Sequence, residues 1–371
     1  MNATAFDALA TASVRSLRAY DPGHDLVALR RRFGGLLELG ANESPYGPSP
    51  RAVAAVHGVL GELHRYPDPL GGDLKRALAA HLCVDAAALV LGNGSHELLM
   101  QLAQVFAGPG AGVAMSRYGF AVYAIAAHAV GAPLTVAEAL PADHAMARGH
   151  DLPAIATAAR AGTRLVYLAN PNNPTGTWFE RPQLRRFLEG IGEDVIVVVD
   201  QAYREYVDPD KSCCALPLLR GFRNLVVTGT FSKAYGLAGL RVGYAVADPG
   251  IVALLERLRE SFNVNSPALA AAIAALGDQE HVARAVAGNR AQRERIADAL
   301  RVRGLVVHPS QTNFVLVDLG ADTPAIERAL VDRGVVTRPM GGYGLPQCLR
   351  VSLGAAGEND RFLDALDGVM R

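Results

Sequence analysis

Residues 230–241 read Thr-Phe-Ser-Lys-Ala-Tyr-Gly-Leu-Ala-Gly-Leu-Arg and place one amine in an otherwise apolar stretch. A buried ammonium is costly unless it is paired or loses its proton, so Lys233 is predicted to be a nucleophile that bonds covalently to a carbonyl compound. Thr230, Ser232 and Arg241 provide groups that bind phosphate. An amine beside a phosphate site indicates pyridoxal 5'-phosphate, which carries both an aldehyde and a phosphate.

Two polar features follow predicted strands. Asp200 ends the apolar run Val-Ile-Val-Val-Val-Asp. A lone aspartate here would more often cap a helix, but its pairing with Lys233 favours a carboxylate that keeps a pyridine nitrogen protonated. The run 170–176, Asn-Pro-Asn-Asn-Pro-Thr-Gly, combines prolines that fix φ with amides that can donate to a ligand. One Asn-Pro alone would indicate a plain turn, whereas the whole run favours a binding loop.

A glycine-rich turn at residues 91–97, Leu-Gly-Asn-Gly-Ser-His-Glu, leads from a predicted strand into a predicted helix. Backbone amides in such a turn can bind an anion. The turn lacks the third glycine of the dinucleotide fingerprint, which disfavours a nicotinamide site. Tyr118 and Tyr123 are either core aromatics or, for one of them, a ring that lies flat against a cofactor.

Short buried-strand patterns alternate with helical ones and predict a mostly parallel α/β sheet. Because ligands of such sheets bind beyond the carboxyl ends of the strands, Asp200 and Lys233 are expected at one edge. After Pro267 the pattern changes to an Ala- and Arg-rich helical region through about Arg303 and predicts a smaller α+β domain. The predicted strands of the two parts are 88–91, 112–115, 164–168, 195–199, 225–228 and 242–246, then 314–318 and 349–353, with a helix at 323–333.

Composition limits the class of protein. A chain of 371 residues fits two or three domains, and 36 basic against 36 acidic residues give no electrostatic footprint for nucleic acid or an anionic membrane. No apolar stretch approaches the roughly 20 residues that span a bilayer. The first 18 residues lack a secretory apolar region, and the four cysteines lack metal-ligand spacing, so small-molecule partners, no metal and a cytoplasmic location are expected.

Taken in order along nearly the whole chain, these motifs resemble the pyridoxal-phosphate aminotransferases of fold type I and, within them, the histidinol-phosphate aminotransferases. The segments that carry the resemblance are 39–48, 65–68, 92–95, 170–176, 200–203, 230–241, 338–344 and 348–350.

The resemblance implies an α/β fold with a mostly parallel seven-stranded central sheet in the large domain and a smaller α+β domain. It implies an N-terminal arm over residues 1–45 that packs with the small domain, a large cofactor-binding domain over 46–270 and a small domain over 271–371. It also implies a homodimer in which Tyr66 reaches the cofactor phosphate of the neighbouring subunit.

The resemblance further implies the roles of individual residues at the cofactor. Lys233 would bind the cofactor aldehyde and then carry the proton of the substrate α-carbon. Asp200 would pair with the pyridine nitrogen, Asn173 and Tyr203 would bond the ring hydroxyl oxygen, and Tyr118 would stack on the ring. The phosphate would be held by the backbone amides of Ser95 and His96 together with Thr230, Ser232 and Arg241.

At the substrate, the resemblance implies that Arg350 grips the anionic end, with Arg338 nearby and the loop of Asn42 and Glu43 as another wall. A bidentate arginine suits a carboxylate or a phosphate, so Arg350 alone does not name the substrate. Two arginines favour the more highly charged phosphate.

The expected activity is transamination between L-histidinol phosphate and 2-oxoglutarate, or glutamate in reverse, in histidine biosynthesis. Alternatives are an aromatic amino acid aminotransferase, a phosphothreonine decarboxylase or a regulatory cofactor-binding domain. The sequence departs from the family pattern at His96, at Gln201 and at Ser116-Arg117, where Arg117 adds a charge near the expected cofactor face.

Overall fold

A computed structural model describes residues 6–17, 23–160 and 162–370. Of the predicted N-terminal arm, residues 1–5 and 18–22 therefore lie outside the described residues. The strands are β1 Leu37–Glu38, β2 Leu89–Gly92, β3 Gly112–Ser116, β4 Leu134–Ala137, β5 Thr163–Ala169, β6 Ile196–Asp200, β7 Leu225–Thr230, β8 Gly243–Val246, β9 Val306–Val307, β10 Phe314–Asp318, β11 Val335–Val336, β12 Arg338–Pro339 and β13 Cys348–Ser352.

Thirteen α-helices occur within those described ranges. They are α1 Ala12–Ser16, α2 Leu26–Arg32, α3 Pro50–Val59, α4 Gly72–Leu82, α5 Ser95–Phe106, α6 Ala121–Ala129, α7 Leu152–Ala158, α8 Arg181–Gly190, α9 Pro249–Leu258, α10 Ser266–Leu276, α11 Gln279–Val302, α12 Thr323–Val331 and α13 Ala356–Val369. No helix of the described ranges is both long and apolar enough to cross a membrane.

The large sheet has the strand order β2-β8-β7-β6-β5-β3-β4. All of its neighbouring strands pair in parallel except β8, which is antiparallel to both β2 and β7. This confirms the predicted seven-stranded, mostly parallel sheet. The sequence prediction lacked β4, whose residues are largely solvent-accessible and therefore do not form the apolar pattern of a buried strand.

Alternate residues of the central strands pack on opposite sides of the sheet. Val198 of β6 packs with α5, α6 and α9, whereas Val197 and Val199 pack with α7 and α8. A strand that is covered on both faces needs apolar residues at every position, which explains the uninterrupted run before Asp200. The strand is thereby held rigidly, and its carboxyl end points at the cavity described below.

The second sheet has the order β12-β13-β10-β9 and is antiparallel. Arg338 of β12 and Arg350 of β13 are direct cross-strand partners, so the two arginines are neighbours. Leu37 and Glu38 of β1 pair with β11, while helix α1 contacts α6. The predicted helical region after Pro267 consists of two helices, because α10 ends at Leu276, with Gly277 as its C-cap, and α11 begins at Gln279.

Candidate active site

The carboxyl ends of β3, β5, β6 and β7 open on one cavity of about 710 Å³. Lys233 and Asp200 line it from the large sheet, and Arg338 and Arg350 line it from the second sheet. The strands run parallel, so residues distant in sequence arrive at one edge, as predicted. The other predicted site residues in its lining are Asn42, Ser95, His96, Asn173, Tyr203, Thr230, Ser232 and Arg241.

Lys233 follows β7 and borders the cavity. Its Nζ donates to two main-chain carbonyls, Ala41 O at 3.2 Å and Asn42 O at 3.1 Å, and lies 5.8 Å from the centroid of the Tyr203 ring. Burial, assisted by the positive charge of Arg350, lowers the pKa of Lys233 to about 8. About a tenth of the amine is therefore unprotonated at pH 7, far more than for an ordinary lysine, and this fraction can act as a nucleophile or a base.

Asp200 lies at the carboxyl end of β6 and is buried. Its Oδ1 accepts a hydrogen bond from Thr228 Oγ1 at 3.1 Å, and its Oδ2 accepts one from Tyr123 Oη at 3.0 Å. Burial raises the pKa of Asp200, and the bonds from Tyr123 and Thr228 oppose this rise. A buried carboxylate held in this way can stabilise a cationic N–H group of a ligand.

Tyr203 and Asn42 also line the cavity and are hydrogen-bonded to each other. Asn42 Nδ2 donates to Tyr203 Oη at 2.9 Å, and the Tyr203 ring packs edge-on against Phe314 with centroids 5.4 Å apart. Burial raises the pKa of Tyr203 to about 12, so its hydroxyl keeps its proton at neutral pH.

Arg350 extends from β13 to the rim of the same site and is 8% exposed. Its Nη1 donates to Asn173 Oδ1 at 2.6 Å and its Nη2 donates to Gly40 O at 2.7 Å. The guanidinium carbon lies 5.4 Å from the centroid of the Phe314 ring. The Asn173 side-chain oxygen accepts from Arg350, and its amide nitrogen can donate to a ligand.

An anion-binding cup lies at the amino end of α5. Arg241 Nη1 donates to Ser232 Oγ at 3.1 Å, and Thr230 Oγ1 donates to Ser232 Oγ at 3.0 Å. Ser95 and His96 form the first turn of α5, where backbone N–H groups are free to bind an anion. Burial, with the charge of Arg241, lowers the pKa of His96, so the departure at this position adds no cation at neutral pH.

Gly94 makes room for this cup. It has φ 83° and ψ 161°, a backbone conformation that is essentially limited to glycine. A Cβ on Gly94 would lie 2.5 Å from Arg241 Nη2. The glycine thus lets the guanidinium approach the helix amides, and the cup has the hydroxyls, amides and positive charge that a phosphate requires.

Two predicted residues lie elsewhere in this chain. Tyr118 packs with Met340 and Leu345 and lines a separate small pocket, and its stacking on a cofactor ring stays a prediction. Tyr66 is 81% exposed and stacks on Phe262, with ring centroids 4.6 Å apart.

Several residues at or beside the site were not predicted. Phe120 lines the cavity directly before α6, two residues beyond Tyr118, and the end of a strand before a helix is the signal that could have indicated it. Thr228 is the register partner of Asp200 on β7, so strand alignment could have indicated it. His24 Nε2 lies 2.5 Å from Glu327 Oε1 at the same cavity, and no motif pointed to this pair.

A comparison with known families decides the relationship. Residues 35–367 match the family of class I and II aminotransferases. The chain belongs to this family.

Individual members of the class I and II aminotransferases are similar over nearly the whole chain. Histidinol-phosphate aminotransferase 2 of Pseudomonas aeruginosa is 45% identical over 369 residues, which cover 98% of both proteins. Histidinol-phosphate aminotransferase 1 of Nitrosococcus oceani is 45% identical over 367 residues, also 98% of both. The crystal structure of histidinol-phosphate aminotransferase from Sinorhizobium meliloti in complex with pyridoxal-5'-phosphate matches with a TM-score of 0.87 and 34% identity over 97% of each chain. The fold of this aminotransferase is therefore fold type I, as predicted.

Proposed function

We propose that the protein is a pyridoxal-phosphate-dependent aminotransferase that transfers the amino group of L-histidinol phosphate to 2-oxoglutarate. The observation that carries this proposal is the convergence of a lysine with a lowered pKa, a buried carboxylate, a phosphate cup and two arginines on one cavity. The full-length similarity to histidinol-phosphate aminotransferases supports the substrate.

The residues present fit the cofactor. Lys233 would bind its aldehyde, Asp200 its ring nitrogen, and Tyr203 and Asn173 its phenolic oxygen, while the predicted Tyr118 or the cavity-lining Phe120 would contact its ring. The cup would bind its phosphate through Ser95, His96, Thr230, Ser232 and Arg241. When bound, pyridoxal phosphate supplies a ring that accepts the electron pair left on the substrate α-carbon after its proton is removed.

The chain's own groups perform the remaining steps. Lys233 Nζ takes the proton from the substrate α-carbon, and burial keeps this amine partly neutral for that task. Asp200 would stay ionised beside a protonated ring nitrogen, because an opposite charge favours the carboxylate form. Arg350 binds the anionic end of the substrate with Arg338 beside it, and two cations suit the dianionic phosphate of histidinol phosphate.

We also propose the domain division into 1–45, 46–270 and 271–371, and a homodimer to which Tyr66 contributes across the interface. The large exposed fraction of Tyr66, with exposed Leu60, Leu63 and Leu70 near it in sequence, supports a face covered by a second subunit. Sedimentation of the purified protein tests the dimer, and a monomer at micromolar concentration would contradict it.

The test of function is a half-reaction. The protein loaded with pyridoxal phosphate is mixed with L-histidinol phosphate alone, and we expect its visible absorption band to disappear without any acceptor present. Addition of 2-oxoglutarate should restore the band. The absence of a spectral change with every amino donor would contradict the proposal.

Competing substrates separate the alternatives in the same assay. Phenylalanine reacting faster than histidinol phosphate would favour an aromatic amino acid aminotransferase. Carbon dioxide release from phosphothreonine without a keto product would favour the decarboxylase. We expect histidinol phosphate to give the largest rate of the three.

The cup predicts the effect of a small substitution. Gly94→Ala should weaken pyridoxal phosphate binding by about tenfold or more, because the alanine conformation is strained and its Cβ displaces Arg241. Titration of the apoprotein with the cofactor measures this. Gly357→Ala is the control, since Gly357 has open space around its Cα and lies in α13. Equal affinities of Gly94→Ala and the parent protein would contradict the role of the cup.

The pKa of Lys233 predicts a pH dependence. Capture of the cofactor aldehyde requires the neutral amine, and burial lowers this pKa to about 8. The rate of pyridoxal phosphate capture by the apoprotein should therefore rise about tenfold per pH unit below pH 8 and level off above it. Stopped-flow absorbance gives the profile. A rate that keeps rising towards the ordinary lysine value of 10.5 would show that the pKa is not lowered.

A further inference from the structure

Three buried side chains from distant parts of the chain meet at the cavity, which two of them, Asn42 and Tyr203, line. Asn42 N donates to Ser352 Oγ at 2.9 Å, and Ser352 Oγ donates to Asn42 Oδ1 at 3.1 Å. Asn42 Nδ2 then donates to Tyr203 Oη at 2.9 Å. Asn42 is 1% exposed, Ser352 is 3% exposed and Tyr203 is 4% exposed, so solvent does not compete for these bonds.

The serine determines which way the Asn42 amide points. With the amide reversed, Nδ2 would donate to Ser352 Oγ, which already accepts the Asn42 backbone N–H. The serine proton would then have no acceptor among the bonds described for it, and an unsatisfied buried donor is costly. The backbone of Asn42 is itself fixed, because its carbonyl accepts from Asn313 Nδ2 at 2.9 Å.

The orientation of the amide fixes the role of Tyr203. A tyrosine hydroxyl has one proton to donate, and here its oxygen accepts from Asn42. Its own proton is therefore not used on Asn42 and is available to the cavity that Tyr203 lines. Phe314 holds the ring edge-on, and Phe314 is the cross-strand partner of Ser352, so one strand pair fixes both the ring and the amide.

We propose that Ser352 and Asn42 are positioning residues that make Tyr203 a hydrogen-bond donor to the phenolic oxygen of bound pyridoxal phosphate. That oxygen is ortho to the aldehyde carbon that Lys233 binds, so groups beside Lys233 Nζ meet it. The inference rests on the proposed function, because it requires the cofactor at Lys233. Ser352 acts only through Asn42 and Tyr203.

The relay affects the proton on the lysine nitrogen of the loaded protein. A hydrogen-bond donor stabilises the negatively charged phenolic oxygen most when the adjacent lysine nitrogen carries no proton, because a proton there would already neutralise part of that charge. Loss of the donor should therefore raise the pH midpoint of the visible absorption band, and loss of one charge-assisted hydrogen bond corresponds to about one pH unit.

The experiment is a pH titration of the cofactor band in the loaded protein without substrate. Ser352→Ala should raise the midpoint by about one pH unit, towards the value of Tyr203→Phe. Ser352→Thr keeps the hydroxyl and should keep the parent midpoint. Ser352→Cys, with a similar volume and a weak S–H donor, is a second variant that should shift the midpoint in the same direction as alanine.

A double substitution separates this relay from a general packing effect. On a Tyr203→Phe background, Ser352→Ala should cause no further shift, because the group through which it acts is gone. An unchanged midpoint in Ser352→Ala, or a shift that persists on the phenylalanine background, would overturn the inference and leave the proposed function intact. A parent protein without any pH-dependent visible band would overturn both.

Discussion

Lys233→Ala is expected to reduce turnover of histidinol phosphate by about 10⁴-fold, because it removes both the covalent anchor of the cofactor and the base that moves the α-proton. The phosphate cup and Asp200 remain, so the variant should still bind pyridoxal phosphate without covalent attachment. Borohydride reduction followed by mass spectrometry should label the parent protein at Lys233 and leave the variant unlabelled.

The chain contains only three lysines, which makes the control simple. Lys211 pairs with Asp210 at 2.9 Å on the surface, and Lys211→Ala should leave turnover and labelling unchanged. Turnover by Lys233→Ala within tenfold of the parent would show that the lysine is structural. Label on Lys75 or Lys211 instead would place the reactive amine elsewhere.

Arg350→Ala should lower kcat/KM for histidinol phosphate by about 10²- to 10³-fold, since truncation of a buried charged hydrogen-bonding partner costs about 2–5 kcal/mol. Asn173 and the Gly40 carbonyl also lose their partner. Arg350→Lys should recover little of this loss, because an ammonium cannot replace the planar fork. Steady-state kinetics over a range of substrate concentrations measures the effect.

Arg301→Ala provides the matched control for this substitution. Arg301 pairs with Asp298 at 2.9 Å on the exposed face of α11 and should be removable without kinetic effect. If Arg350→Ala retained the parent kcat/KM, Arg350 would not be a substrate-binding residue. If Arg350→Ala were instead active on a substrate that lacks an anionic end, that result would support Arg350 as the residue that binds the anionic end.

The strands and the site edge were predictable because buried parallel strands require uninterrupted apolar runs. The run before Asp200 and the strand before Lys233 follow directly from this requirement, and the parallel order brings their ends together. The exposed strand β4 lacks such a run and was missed.

Side-chain direction was less predictable. Tyr118 and Phe120 are two residues apart beyond the end of β3, and the turn before α6 decides which ring reaches the cavity. The residue types do not show which ring reaches the cavity, because both are large aromatics. The bonds of Ser352 with Asn42 span 310 positions and leave no local pattern in the sequence.

The contacts between residues 40–42 and residues 350–352 have a consequence for the synthesis of the chain. Arg350 holds the Gly40 carbonyl and Ser352 holds Asn42, while Lys233 bonds to the same amino-terminal segment. A ribosome makes the segment around Gly40 first and must add about 310 further residues before residues 350 and 352 can contact it. Contacts of such long range form late in folding. The nascent protein therefore contains Lys233 before it has a finished pocket, and it can select a substrate only after residues 350 and 352 have been made and have folded.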